Sequence, residues 1–363
     1  MSLFNILTEL RPLYGEESKV AFSLFGFDVA WYAVIILSGA ILAAIIGYFG
    51  YAKRLGLDED TVITGVTLGL FFGILGGRLY YVLFDATASP GTYTSFIDVI
   101  NLRNGGLAIH GAIIATIIFV SIYAKIKKVK LLYILEIVMP VFMLAQAVGR
   151  WGNFMNQEAF GTLVQVEGLK AYGELSRWSQ LSDAVLIAQR EALSNLLVPD
   201  FVINRMYIKY SSASGFICAG YYYPTFYFEA VFNAFGAITY MIVRKYWRKI
   251  YVGDGMGFYL IWYGVLRFFI ESLRTDPLVI GNTGIKIAQL ISIVCIVIGL
   301  ALLILRRVFK YQLITCHDAL HTEGSSIMQD GYTPKEEKPD FIQKLIAKIK
   351  NKKSSKEEDT HEE

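Results

Sequence analysis

Seven apolar runs, each close to the length that crosses a bilayer as a helix, constrain this chain more than any other feature. A hydrocarbon core of about 30 Å takes roughly 20 apolar residues at the helical rise. Runs of that kind cover Val29 to Tyr51, Val62 to Phe84, Leu107 to Ala124, Leu131 to Ala147, Thr225 to Val243, Gly257 to Ser272 and Ile285 to Leu305. Lipid offers no water to backbone N–H and C=O groups, so each run must satisfy its own and is expected to be helical. Composition agrees: 55% of the 363 residues are hydrophobic and 18% charged, with a mean hydropathy of +0.46. That is too little charge to cover a soluble domain. The expected class is an all-α polytopic membrane protein with seven transmembrane helices.

The loops set an orientation. Lys53/Arg54, Lys125/Lys127/Lys128/Lys130 and Arg244/Lys245/Arg248/Lys249 occupy the first, third and fifth connections, and Arg306/Arg307/Lys310 follow the last run. The alternate connections are poor in Lys and Arg near the helix ends. The positive-inside rule then puts the N-terminus outside and the C-terminus in the cytoplasm, with the segment from Gly161 to Tyr222 as a small extracytoplasmic head. The net charge of +3 thus reports topology and gives no reason to expect a nucleic-acid partner. Residues 1–310 form the membrane unit, head included. Residues 311–363 read as a charged cytoplasmic tail, largely disordered. Within the tail, Phe341, Ile342, Leu345, Ile346 and Ile349 share one helical face that would suit a membrane surface. The opening stretch, with Glu9, Arg11, Glu16 and Glu17, lacks the marks of a secretory signal and is expected to stay on the protein. Cys218, Cys295 and Cys316 follow no pairing pattern.

Charged groups inside the runs need a reason, because one at the middle of a spanning helix costs about 3 kcal/mol to insert. Arg78 lies late in the second run, His110 opens the third, Arg150 ends the fourth, Glu229 opens the fifth, and Arg267 and Glu271 lie in the sixth. The topology above puts all six in the outer part of the membrane; Arg78, for example, is about 9 Å below Phe84 at the helical rise. Arginines near helix ends snorkel, and carboxylates pair with them, so any one of these has a structural explanation. Five helices sharing one depth point instead to a common polar cavity. Arg267, Glu271 and Arg274 line one face of the sixth helix. The run from Gly149 to Glu158 combines glycines with polar groups and reads as irregular backbone beside protein or water. Glu136, near the inner end of the fourth run, stays outside this group. The planar fork of arginine suits phosphate oxygens, so Arg78, Arg150 and Arg267 at headgroup depth point to a phospholipid ligand.

These stretches together resemble the prolipoprotein diacylglyceryl transferase family. The most specific is Gly149-Arg150-Trp151-Gly152-Asn153-Phe154-Met155-Asn156-Gln157-Glu158-Ala159-Phe160-Gly161. In order along the chain, Trp31-Tyr32, Gly77-Arg78-Leu79-Tyr80-Tyr81, the run from Gly105 to Gly111 and the run from Tyr263 to Glu271 support it. Between Tyr223 and Glu229 the match thins, and only Pro224 and Glu229 carry over. The head from Leu163 to Tyr222 and the tail lie outside it. The resemblance implies seven transmembrane helices in the bacterial inner membrane and a site open to the outer leaflet. It implies that Arg150 and Arg267 hold a lipid phosphate, that His110, Tyr32 and Tyr263 belong to the catalytic pocket, and that Asn153, Glu158, Gly161 and Glu271 shape it. Its substrates would be phosphatidylglycerol and prolipoprotein signal peptides with a lipobox cysteine. The chemistry would join the cysteine sulfur to the lipid's glycerol carbon and release glycerol phosphate. His110 is the leading base for the thiol; Glu271 is the alternative, weakened by pairing with Arg267.

Other classes fit less well. A lipid or solute transporter would need polar groups across the full depth of the membrane. A retinal protein would need a lysine midway along the seventh run, where Lys286 sits only at the edge. Cys316, His317 and His321 lack the spacing and fourth ligand of a zinc site, and no cofactor motif stands out.

Overall fold

The computed structural model describes residues 10, 12, 19–24, 27–88, 93, 95–101, 106–167, 181–211, 217–274, 279, 284–311 and 313–321. The expected tail from residue 322 onward, Gly105 and the side chains of Cys218 and His321 lie outside the described residues.

The membrane part is built from α1 (Trp31–Gly47), α2 (Glu59–Ala88), α4 (Ile109–Ile126), α5 (Leu131–Asn156), α8 (Thr225–Tyr246), α9 (Asp254–Ser272) and α10 (Ile287–Val308), with the short α3 (Phe96–Ile100) between α2 and α4. Helix α1 continues through a wider turn at Tyr48–Ala52 and a tighter one at Lys53–Leu55, ended by Gly56 at φ 83°. Six of these helices, all but α9 and the short α3, are long and apolar enough to cross a membrane. Helix α9 is the remaining expected crossing; its 19 residues include Asp254, Arg267 and Glu271, and it packs along α10 and against α5 and α8.

The side chains face in the sense a lipid solvent requires. Helix α1 buries Gly39, Ala43 and Gly47 and leaves Leu37, Ile41 and Ile45 exposed. Its small residues lie against Ala145, Val148 and Val141 of α5. Small residues let backbones approach, and large apolar ones lose nothing by facing lipid tails. Helices α2 and α4 pair most intimately. A Cβ on Gly76 would stand 2.8 Å from the carbonyl of Gly111, and one on Gly111 would stand 2.4 Å from the carbonyl of Gly76. Only glycine fits at either position, and this contact fixes Arg78 and His110, which lie beside it.

Two antiparallel hairpins qualify the all-α expectation. One pairs β1 (Val20–Leu24) with β2 (Phe27–Ala30) just before α1, and the other pairs β3 (Tyr207–Ser211) with β4 (Ile217–Tyr221). These segments are short and rich in aromatic and β-branched residues, which favour strands over helices, and are too brief to show in hydropathy. The second hairpin belongs to the segment between α5 and α8, together with α6 (Asp183–Asn195) and α7 (Asp200–Arg205). Leu163, Leu186, Leu193, Ile203, Tyr221 and Tyr222 form its buried core, and Gln189 bridges it by donating to the Val164 carbonyl and accepting from the Tyr221 amide. Phe226 of α8 completes that core, while Trp151 and Phe154 of α5 pack against it. The segment is therefore seated directly on the ends of α5 and α8.

The opposite end of the bundle is closed by a buried acid. Glu136 is 0% exposed and accepts from the Tyr240 hydroxyl at 2.8 Å and from the amides of Gly253 and Gly255, each at 2.9 Å, which open α9. Arg244 completes its shell at 3.4 Å and lies 3.9 Å over the ring of Tyr51. Asp254 pairs with Arg306 and Arg307 of α10 at 3.3 and 2.7 Å. The Tyr51 hydroxyl reaches the carbonyl of Cys316, the first residue of α11 (Cys316–His321). A carboxylate at a helix N-terminus is favoured by the dipole and by the unpaired amides there. Glu136→Ala strands four donors at once, and breaking a buried ionic contact this way costs about 3–5 kcal/mol. The unfolding midpoint in detergent should fall sharply for Glu136→Ala and less for Glu136→Gln, which keeps an acceptor; midpoints equal to wild type would dismiss Glu136 as a fastener.

Candidate active site

The run expected to be irregular is helical. Helix α5 continues through Gly149 and Gly152 to Asn156 and stops where Gln157 turns left-handed at φ 53°, its amide donating back to Asn153 and Phe154. Uninterrupted helix satisfies its own backbone, which is why glycines here did not break it. Arg205, at the end of α7, donates to the carbonyls of Phe154 and Met155 at 3.0 and 2.8 Å and is itself met by Gln157, whose side chain donates to the Arg205 carbonyl. A cation on the final carbonyls of a helix offsets both their unmet acceptor capacity and the dipole.

Helix α5, which accommodates Pro140 in its interior, carries Arg150 to the centre of a three-helix cluster. The carboxylate of Glu229, in the first turns of α8, takes the Arg150 Nε on one oxygen and the Arg267 Nη1, at 3.0 Å, on the other. Arg267 of α9 also pairs through Nη2 with Glu271, one turn along its own helix, at 2.9 Å. Both acids are buried. Two guanidinium groups and two carboxylates leave the cluster formally neutral, so the ionic cost of burial is met internally. Arg150 engages Glu229 through Nε alone, which leaves its terminal nitrogens without a protein partner among the described residues. Gln146, Arg150, Glu229, Asn233, Tyr263, Leu266 and Arg267 line a small cavity at this point.

The other expected site residues divide. Tyr263 lies in the cavity wall with its ring stacked 5.9 Å from that of Tyr259. Tyr32, partly exposed at the start of α1, lays its ring on Gly152, and Asn153 follows half-buried on α5. Glu158 is exposed past the end of α5, its amide bonded to the Asn153 carbonyl at 3.0 Å. Gly161 donates to the Tyr223 carbonyl at 2.7 Å and forms a bridge with Arg274, joining the exit of α5 to the start of α8 and the end of α9. His110 is exposed in the first turn of α4, its ring 6.2 Å from that of Tyr80. None of Tyr32, Asn153, Glu158, Gly161 and His110 is among the residues that line the cavity.

Arg78 departs from the expectation of a phosphate contact. It is 2% exposed, and its guanidinium donates to the carbonyls of Val99 at 2.9 Å, Asp98 at 2.9 Å and Gly106 at 3.2 Å. Those carbonyls belong to the connection between α2 and α4, whose turn cannot satisfy itself; the arginine supplies the missing donors. Its depth was legible in the sequence, but the competing claim of the loop backbone was not.

Three residues escaped the sequence reading: Gln146, Asn233 and Arg205. The first two are neutral and so did not register as misplaced in an apolar run. Their spacing was the available signal, since Gln146 is four before Arg150 and Asn233 four after Glu229, on the same helical faces.

A bundle of apolar helices that gathers arginines and acids from three of its members around one cavity defines a multi-pass membrane protein with a charged cluster among its helices. Residues 19–305 match the family described as prolipoprotein diacylglyceryl transferase. The chain is 38% identical over 288 residues to phosphatidylglycerol–prolipoprotein diacylglyceryl transferase 1 of Clostridium perfringens, covering 79% of this chain and 94% of that protein. It is 37% identical over 295 residues to the enzyme of the same name, without the numeral, from Staphylococcus haemolyticus, covering 80% and 89%. With that of Bacillus cereus it shares 37% over 292 residues, covering 80% and 92%. The chain belongs to the prolipoprotein diacylglyceryl transferase family.

A Cβ on Gly161 would stand 2.8 Å from the Leu273 carbonyl and 3.0 Å from both Thr225 and Tyr223. Gly161→Ala must therefore push apart the junction of α5, α8 and α9. Overpacking of this kind costs about 1–3 kcal/mol, and a lowered unfolding midpoint is the expected reading; a midpoint unchanged from wild type would mean that the junction yields freely.

Proposed function

We propose that this protein transfers the diacylglyceryl group of phosphatidylglycerol to the thiol of the lipobox cysteine of prolipoproteins. The observation that carries this reading is Glu229 held between Arg150 and Arg267, with Arg150 keeping terminal donors for a further anion. A lipid phosphodiester supplies one negative charge to that position, and the family membership supplies the chemistry. The sulfur attacks the glycerol carbon that bears the phosphate, a C–S bond forms as the C–O bond breaks, and the electron pair leaves on glycerol phosphate. Donors fixed before reaction, in a site from which water is largely excluded, stabilise the charge that grows on that leaving group.

The thiol, with a pKa of about 8.5 when free, must also lose its proton. His110 is the proposed acceptor, because Glu271 is buried and committed to Arg267 and would have to break that pair to take a proton. Tyr32, Tyr263, Asn153, Glu158 and Gly161 shape the pocket, and Arg78 acts by holding the α2–α4 connection in place. Helix α9 serves as the seventh crossing, with Arg267 paired to Glu229 of α8 and Asp254 paired to arginines of α10. The basic ends of α8 and α10 and the wider turn after α1 meet in one network, which supports a cytoplasmic address for that end, an outward N-terminus and an extracytoplasmic head at residues 161–222. The bacterial inner membrane is the proposed location. A transport route is disfavoured, because residues 137–145 of α5, between Glu136 and Gln146, are all apolar.

Purified protein incubated with phosphatidylglycerol and a lipobox peptide should add a diacylglyceryl mass to the peptide. Arg150→Lys and Arg267→Lys keep charge but lose the planar fork and should each slow transfer on the order of a hundredfold, about 3 kcal/mol of barrier. Near-normal turnover in both would dispose of the phosphate clamp. His110→Gln should abolish transfer while lipid binding persists, and full activity in that variant would remove the histidine as base.

A further inference from the structure

The cavity is layered. Arg150, Glu229 and Arg267 stand at its outer level, and each has a neutral polar neighbour one turn nearer the basic end of the bundle: Gln146 on α5, Asn233 on α8 and Tyr263 on α9. The helices run in opposite senses, so the neutral residue precedes the charged one on α5 and α9 and follows it on α8. A helical turn rises about 5.4 Å, so the second level lies that far below the first. Asn233 is 4% exposed, and its Oδ1 finds no hydrogen-bond partner among the described residues; neither does Oε1 of Gln146. The Gln146 amide nitrogen is committed to the Tyr259 hydroxyl at 3.1 Å. The inner level therefore offers two buried acceptors with nothing to accept from, directly beneath the arginines.

Buried polar atoms are almost always partnered, so two unpartnered acceptors side by side in one cavity call for a donor from outside the protein. Ester carbonyls of the lipid backbone cannot serve, since they are acceptors too. We infer that Gln146 and Asn233 form a subsite that accepts hydrogen bonds from the hydroxyl groups of the lipid's terminal glycerol, turned inward from a phosphate held by Arg150 and Arg267. The inference rests on the reading of this cavity as the phospholipid site. It makes the two carboxamides specificity-determining: a phosphodiester whose head lacks hydroxyls satisfies the arginines but leaves both acceptors stranded. Glycerol phosphate, once released, carries the same hydroxyls and should occupy the same subsite.

Phosphatidylmethanol supplies the test, having the same charge and phosphodiester but no head hydroxyl. Wild-type protein should use phosphatidylglycerol at least about tenfold better by kcat/KM, the worth of one to two net hydrogen bonds. Asn233→Leu and, separately, Gln146→Met should each cut that preference several-fold, by losing far more on phosphatidylglycerol than on phosphatidylmethanol. Free glycerol phosphate should inhibit wild type more strongly than methyl phosphate does, and this difference should shrink in either variant, which separates the lipid headgroup from the free product as the source of the hydroxyls. Equal use of the two lipids by wild type, or an undiminished preference in whichever variant folds, overturns the inference. Equal losses on both lipids with a raised KM for the peptide also overturn it, by assigning the acceptors to the peptide. Failure of wild type to modify the peptide with any lipid would instead overturn the proposed function.

Discussion

One carboxylate joins three helices of this membrane protein. Glu229 ties Arg150 of α5 to Arg267 of α9 across the first turns of α8, and without it Arg150 would lose the acid it pairs with and Arg267 would keep only Glu271. Like charges at close range in a medium of low dielectric repel strongly, so the cavity exists in this form only because the acid lies between them. The second acid, Glu271, brings the group to neutrality. The arrangement is both an assembly device for three helices and a preformed set of donors, and those roles are not separable.

The opposite end of the bundle uses the same logic, again with acids held among donors. There a buried acid, Glu136, is surrounded by donors from α8 and from the start of α9, and Asp254 takes two arginines from α10. Helix α9 is thus fixed ionically at both ends: Asp254 and the amides around it at one, Arg267 and Glu271 at the other. Its charged residues are what set it apart from its six more apolar companions. They attach it at both ends, in addition to the close small-residue packing of Gly257 and Gly264 against Gly299 and Ser292 of α10.

Much of this was legible in the residues. Hydropathy located the seven bundle helices, most of them to within a few residues, because a bilayer imposes a length that no soluble core does; α5 is the exception and runs from the expected end at Ala147 on to Asn156. Charges out of place pointed to Arg150, Glu229, Arg267 and Glu271. The same rule misdirected Arg78, since it registers that a charge is buried and not whether a ligand or a nearby loop backbone satisfies it. Glycines in the stretch from Gly149 to Glu158 argued for irregular chain, yet helix persisted to Asn156 because an unbroken hydrogen-bond ladder outweighs their weak propensity. Gln146 and Asn233 went unnoticed because neutral amides barely perturb hydropathy, although burial makes them as informative as a charge. The two hairpins were too short to register at all.

The contact between Gly76 and Gly111 has a consequence for traffic. With the two backbones touching through their carbonyls, the seam between α2 and α4 is shut at that level even to a single methylene chain.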